Sequence, residues 1–281
     1  MAIPQSSLSI AMEGKVDQVL RRSLEILSRN VILKRRLTEE FGGGVMYISP
    51  AARLKYWKPN IVSQERFLFD MAKLLVSPAD VVWDIGANAG VFSVAASSVA
   101  GPTGRILAFE ADSWLVNLVL RTARSLGAQY SMIDVINVAV ASELGFADFA
   151  IAARSRASNF LVSAGGSDQA GGVRSTYRVL TIGLDSMLSI TLPPKVIKID
   201  IEGAELMALR GGTRIVNEIR PRILCEVDKK NAEGIRDLFL KGNYRIYDAE
   251  NSGRRPVPTD MPTLNTLFLP SEDPLNQSLK N

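Results

Sequence analysis

The sequence predicts an α/β protein: a Rossmann-like doubly wound sheet of about seven mostly parallel strands with an antiparallel last strand, an inserted β-hairpin and amino-terminal helices. Three observations lead there. Short apolar runs alternate with helical patterns over residues 81–140 and again over 195–248. A bend carrying two glycines, Asp84-Ile85-Gly86-Ala87-Asn88-Ala89-Gly90, follows the first run. The last two runs, Tyr244 to Asp248 and Asn265 to Leu269, are too close for a crossover helix, which makes the final strand antiparallel.

The elements follow in order. Val16, Leu20, Leu24, Leu27 and Val31 recur at helical spacing with Arg21, Arg22, Arg29, Lys34, Arg35 and Arg36 between or after them. An amphipathic helix over roughly residues 13–40 is expected, stopped by Gly42-Gly43-Gly44. A second helix is expected near residues 63–76, ending at Ser77-Pro78. Val81 to Asp84, Arg105 to Glu110 and Val135 to Val140 read as three strands, with helices following the first to about Ala100 and the second over 113–127. Over 141–185 the alternation breaks: Ala147 to Ala152 and Tyr177 to Leu184 flank the Gly/Ser-rich Ser163 to Gly172, an inserted hairpin. Lys195 to Asp200 is the next strand, Glu205 to Glu218 a helix, Pro221 to Val227 a strand and Asn231 to Lys241 a helix.

Composition narrows the chemistry. The 281 residues include 33 Lys+Arg, 29 Asp+Glu, one Cys and no His. Without His there is no Ser-His-Asp triad, no imidazole base and no His-bound metal, so protons fall to carboxylates, Lys, Tyr, Cys or water. A single Cys excludes an internal disulfide framework and a Cys-rich zinc site. Cys225, inside an apolar strand, reads as a buried small hydrophobe, and Trp57 and Trp83 read as core. The first twelve residues lack a secretion-signal pattern, and the longest uncharged stretch, Ile85 to Gly104, holds four Gly and one Pro. A cytoplasmic protein without a transmembrane segment is the expectation. Residues 1–60 hold ten Lys/Arg against five Asp/Glu, a basic segment suited to an acidic or phosphorylated acceptor or to peripheral membrane contact. No basic-aromatic platform for nucleic acid is present, so no nucleic-acid partner is expected.

In an open parallel sheet ligands bind at the carboxyl ends of the strands, and Asp84, Glu110, Asp200, Glu226 with Asp228, and Asp248 all fall there. Gly86 and Gly90 let the backbone turn tightly and approach a ligand. The dinucleotide spacing G-x-G-x-x-G is absent, and an acid stands just before the glycines, suiting a ligand with an amino group. Glu110, 26 residues after Asp84, ends the second strand, where a carboxylate can accept both ribose hydroxyl protons. Together these imply an adenosine-containing ligand.

Val81 to Gly90, Ala108-Phe109-Glu110 and Lys198-Ile199-Asp200-Ile201-Glu202-Gly203-Ala204-Glu205 resemble the FkbM-type family of S-adenosylmethionine-dependent methyltransferases. Thr181 to Leu188 with Asp185, Leu209 to Gly212 and Pro221 to Glu226 extend the resemblance over roughly residues 45–270. The resemblance implies methyl transfer from S-adenosylmethionine, usually to a hydroxyl of a sugar or natural product. It implies that Asp84, Gly86, Asn88 and Gly90 hold the methionine part and Glu110 the ribose, with Asn137 and Ala139 beside the adenine. The domain reading that follows is a basic helical extension (1–60), a methyltransferase domain (61–272) with the hairpin at about 141–185, and a tail (273–281).

Methyl transfer is an in-line displacement in which holding the reactants in line supplies most of the rate. The proton of the acceptor hydroxyl is assigned to Asp200 or Glu202, positioned by Lys198, which points to the same side of the strand as Asp200. The alternatives are a purely structural ion pair of Lys198 and a divalent cation held by Asp200, Glu202 and Glu226; no metal is assigned. Ser158-Asn159-Phe160 and Asn251 to Met261 are expected to select the acceptor, with Trp57 a further cleft-lining candidate. Rival functions are a non-catalytic adenosine-binding or scaffold module and an NAD(P)-dependent oxidoreductase; the latter is disfavoured by the missing glycine spacing and the lack of a Tyr-x-x-x-Lys pair.

Overall fold

The computed structural model describes residues 22–166, 170–250 and 255–279. Residues 22–27 are helical, and the expected helix from residue 13 lies partly outside the described residues. It does not reach residue 40. Leu33–Arg36 forms strand β1 and pairs antiparallel with β2, Val45–Ile48, from Leu33 against Ile48 to Arg36 against Val45. The charged run reads as a strand because exposure alternates residue by residue, half-buried at Leu33 and Arg35 and open at Lys34 and Arg36. Gly42 and Gly43, at φ +80° and +63°, reverse the chain between the strands. Arg35 is not a free surface cation: its guanidinium donates to the carbonyls of Tyr56, Trp57 and Lys58.

The hairpin is tied to the rest of the molecule. Phe41, Met46 and Ile48 share one core with the sheet, and Tyr130 Oη donates to Phe41 O at 2.6 Å while accepting from Gly44 N at 2.9 Å. Described residues on both sides of residue 60 thus contribute to one core. A helical turn, Ile61–Gln64, leads into helix α1, Arg66–Leu75.

The main sheet then begins with β3 (Val81–Ile85), helix α2 (Val91–Ala100), β4 (Arg105–Phe109), helix α3 (Ser113–Ser125) and β5 (Met132–Ile136). The apolar run at 135–140 is two strands, not one. Asn137 interrupts it, its side-chain amide donating to the carbonyls of Glu110 and Ala111, and β6 (Ala139–Ala141) leaves for a second sheet. That sheet holds the inserted hairpin, β7 (Gly145–Ala152) against β9 (Val173–Gly183), flanked by β8 (Phe160–Leu161) and β6.

The chain returns to the main sheet at β10 (Val196–Ile199), followed by helix α4 (Glu205–Arg210), β11 (Arg222–Glu226), helix α5 (Ala232–Lys241), β12 (Tyr244–Asp248), β13 (Val257–Pro258) and β14 (Asn265–Pro270). The helix expected over 205–218 ends at Gly211-Gly212, where the bare backbone of Gly211 packs on another segment: a Cβ there would meet the carbonyl oxygens of Ser142 and Ala141 at 2.6 and 2.7 Å. A wide helical turn, Ile215–Ile219, follows, with Asp185 accepting from the amides of Arg214 and Ile215.

Eight strands lie in the order β13-β12-β14-β11-β10-β3-β4-β5. The central pairs are parallel, and β14 runs antiparallel to both β11 and β12, as the spacing of the last two runs required. Side chains alternate between two cores. Val82, Ile106 and Ala108 face the core that contains α1, α2 and α3 residues, while Trp83, Ile85, Leu107 and Phe109 face the one with α4 and α5 residues. The order of connection reverses between β3 and β10, so the crevice beyond their carboxyl ends is where a ligand belongs.

Candidate active site

The register of β10 on β3 sets Lys198 beside Asp84, both on the α1–α3 side of the sheet. Asp84 is fully buried; its Oδ2 accepts from Ser93 Oγ of α2 at 2.6 Å, and its Oδ1 lies 3.4 Å from Lys198 Nζ. Lys198 Nζ also lies 3.4 Å from Asp200 and donates to Gly86 O at 2.7 Å. Burial opposes the charge on Lys198, but Asp200 and Asp84 outweigh it and raise the pKa. The ammonium is thus the hub that joins the strand end to the glycine bend.

Gly86 is the closest approach in the crevice. At φ +74°, a Cβ there would sit 1.9 Å from Asp200 O, while its amide and that of Ala87 both donate to Phe109 O. Gly90, at φ +78°, starts α2 and packs on Val119. Asn88, at φ +53°, presents a buried Oδ1 without a hydrogen-bond partner among the described residues. Glu110 accepts from Asn88 N through Oε2 (2.7 Å) and from Asp112 N through Oε1 (2.8 Å). Burial pushes its carboxyl up to about 7, against the pull of those two amides.

Two cavities open around these groups. The first is lined by Gly86, Asn88, Glu110, Ala139, Asp200 and Glu202 among the expected residues, and by Arg156 and Asn159 from the insertion. The second lies between residues 53–68 and the ends of β10, β11 and β14, with Arg53, Glu65, Lys198 and Glu226 on its walls. Among the described residues, Asp200 lines both. Its neighbours are Lys198 on one side and Arg53, at 3.8 Å, on the other.

Carboxylate oxygens of Asp200, Glu202 and Glu226 lie within 4.8 Å of one another, a spacing that oxygen-ligated cations accept. Burial and the neighbouring acids push Glu202 up to about 8; the charge of Asp200, then burial, lifts Glu226 to about 7. Arg53 faces the same group, and though burial opposes its charge, Tyr56 and the acids Asp200, Glu65 and Glu226 raise its pKa. Glu202 sits at φ +49° in a turn braced by Glu205, which accepts from Gly203 N, and by Asn231, which donates to Gly203 O.

Several expected residues stand elsewhere than in a lining. Asp84 lies behind the wall of the first cavity and reaches it through Lys198 and the Gly86 loop. Asn137 braces the chain after β4 instead of facing the cavity. Ser158 and Phe160 are buried and line neither cavity, and Asn159 walls the first, not the second, where it donates to Asp112. Of the loop at 251–261, residues 251–254 lie outside the described residues and 255–261 line neither. Trp57 donates to Ser28 Oγ at 3.2 Å, away from both. Cys225 is buried and its thiol pushed far up by that burial, which removes it as a nucleophile. Sequence reasoning missed Arg53, Ser93, Asp112 and Arg156. Asp112 had a signal, standing just before Ser113-Trp114 as a helix cap, and it does accept from Trp114 N.

A parallel sheet with a reversed last strand, a glycine bend at its switch point and an acid ending the next strand defines the Rossmann-like class that binds ligands at the carboxyl edge. Within that class, a model described as the methyltransferase FkbM domain matches residues 84–246. The chain belongs to the FkbM methyltransferase family. Solved structures similar to it include methyltransferase FkbM from Methylobacillus flagellatus KT, at 17% identity and a TM-score of 0.46, over 67% of this chain and 43% of that one. The precorrin-6y C5,15-methyltransferase of Geobacter metallireducens GS-15 matches at 13% identity and a TM-score of 0.43, over 73% of this chain and 88% of that one. Fibrillarin of Aeropyrum pernix, solved with bound S-adenosyl-L-methionine, matches at 11% identity and a TM-score of 0.41, over 72% of this chain and 73% of that one. The chain thus spans less than half the length of the M. flagellatus chain. No curated protein matches the sequence. Among the described residues no helix is long and apolar enough to cross a membrane.

Proposed function

We propose that the protein is an S-adenosylmethionine-dependent methyltransferase that methylates a hydroxyl of a sugar or natural-product acceptor, with the cofactor in the first cavity and the acceptor in the second. The observation that carries this reading is Asp200, which borders both cavities and lies between two cations.

The residues of the first cavity fit such a cofactor. Gly86 lines it with bare backbone, its missing Cβ letting the end of β10 pack close at Asp200 O, and the unpartnered Asn88 Oδ1 offers an acceptor to an amino group. Each oxygen of Glu110 accepts one backbone amide and keeps a lone pair for a ribose hydroxyl. When bound, the cofactor supplies an electrophilic methyl group on a sulfonium. The chain contributes orientation and a proton acceptor. Lys198 fixes Asp200 relative to the glycine bend, and a carboxylate oxygen of Asp200 takes the proton of the acceptor hydroxyl. Glu226, on the wall of the second cavity and lifted to about 7, is partly protonated near neutrality and serves as a hydrogen-bond donor to acceptor oxygens, while Glu202, lifted to about 8, lines the first.

Asp200→Asn tests the assignment. Labelled methyl donor and cell extract identify an acceptor, after which the variant is expected to bind S-adenosylhomocysteine as the wild type does while turnover slows about 100-fold or more. Unchanged turnover would remove Asp200 from the chemistry.

A further inference from the structure

The inserted hairpin does more than decorate the sheet. Its loop, Ser155-Arg156-Ala157, is clasped by the amino-terminal segment: Arg156 N donates to Ala51 O at 2.9 Å, Ala157 N to Ala52 O at 3.2 Å, and Ser155 Oγ bonds the same Ala52 carbonyl. Held there, the Arg156 side chain enters the wall of the first cavity beside Glu110 and Ala111. One end of the guanidinium bonds Asp112, and its face lies over Trp114 with Cζ 4.6 Å from the ring centroid. Asp112 is itself pinned, accepting from Trp114 N and from Asn159 Nδ2, each at 2.9 Å. The guanidinium therefore has one orientation. In it, Nε is buried and has no hydrogen-bond partner among the described residues.

A buried donor left unpaired is costly, and a fixed one on a cavity wall is a preorganised contact for whatever fills the cavity. Because Glu110 accepts hydroxyl protons on the same wall, the missing partner is a nitrogen or oxygen acceptor of a nucleoside. We infer that Arg156 is a cofactor-binding residue, donating its Nε–H to the nucleoside of the bound cofactor, and that the hairpin loop forms the nucleoside end of the site. This rests on the reading of the first cavity as the S-adenosylmethionine site. Lysine cannot replace the residue, since it lacks a donor at the Nε position in a planar fork.

Calorimetric titration of the full chain with S-adenosylhomocysteine, and separately with adenosine, tests the inference on Arg156→Met and Arg156→Lys. Both variants are expected to bind each ligand at least tenfold more weakly, with the loss equal for the two because it falls on the nucleoside. Thermal unfolding of the ligand-free variants checks that they are folded; if Arg156→Met is not, Arg156→Lys, which keeps a cation for Asp112, carries the comparison. Affinity within twofold of wild type in a folded variant overturns the inference, as does a loss confined to S-adenosylhomocysteine. A wild-type chain that binds neither ligand would instead overturn the cofactor reading.

Discussion

Lys198 donates to the carbonyl oxygen of Gly86 across 2.7 Å, and so binds the end of β10 to the bend after β3 at the point where the sheet reverses its order. Neither residue could do its part alone. Gly86 turns its carbonyl inward only because it adopts φ +74°, and Lys198 keeps its charge at 5% exposure only because Asp84 and Asp200 flank it.

Removing that charge should be expensive. Lys198→Met leaves Asp84 buried opposite no cation, and the expected loss of stability is about 3–5 kcal/mol. Urea unfolding at neutral pH measures it, and a loss below about 1 kcal/mol would show that Asp84 is held by Ser93 alone.

Gly86→Ala places a methyl 1.9 Å from Asp200 O in a left-handed backbone. The bend must shift, at a cost of about 3 kcal/mol in stability. Affinity for S-adenosylhomocysteine should drop at least a hundredfold, read by calorimetry, since the same bend shapes the first cavity.

The carboxyl of Glu110, at about 7 by burial, gives cofactor binding a pH profile. Its protonated form is favoured in the folded chain, so its contribution to stability is complete below about 4.5 and declines as pH rises through 7. Accepting ribose hydroxyl protons needs the ionised form, so binding moves the opposite way. Affinity for S-adenosylhomocysteine should weaken as pH falls below 7, approaching about tenfold per unit. Glu110→Gln should bind more weakly at pH 8 and show a nearly level profile; an equally steep profile in the variant would assign the titration to another group.

Asp185→Ala serves as a contrast. It deletes the acceptors for the amides of Arg214 and Ile215, a capping loss of about 1 kcal/mol. Chemical denaturation should register that cost, with ligand affinity unchanged.

Most strands of the main sheet were legible as short apolar runs, and the antiparallel β14 followed from a loop too short to cross the sheet; the two-residue β13, an eighth strand where about seven were expected, carries no such run. Misreadings occurred where tertiary contact overrode a local pattern. Leu-Lys-Arg-Arg continues a helical charge pattern, yet Arg35 is drawn into a strand by three carbonyls 21 to 23 residues away. Gly211-Gly212 ends a good helical run where the chain packs against the carbonyls of Ala141 and Ser142 at the end of β6. At the site, Gly86, Glu110 and Asp200 announced themselves by spacing from the strands they end. Arg53 and Arg156 did not, since an arginine in a loop carries no sign of the cavity it will enter.

The clasp over residues 155–157 is made on one side by main-chain oxygens of Ala51 and Ala52 alone. Side chains there can drift among relatives without loosening the grip, so a comparison of letters would score the segment as free to vary while its path in space stayed under constraint.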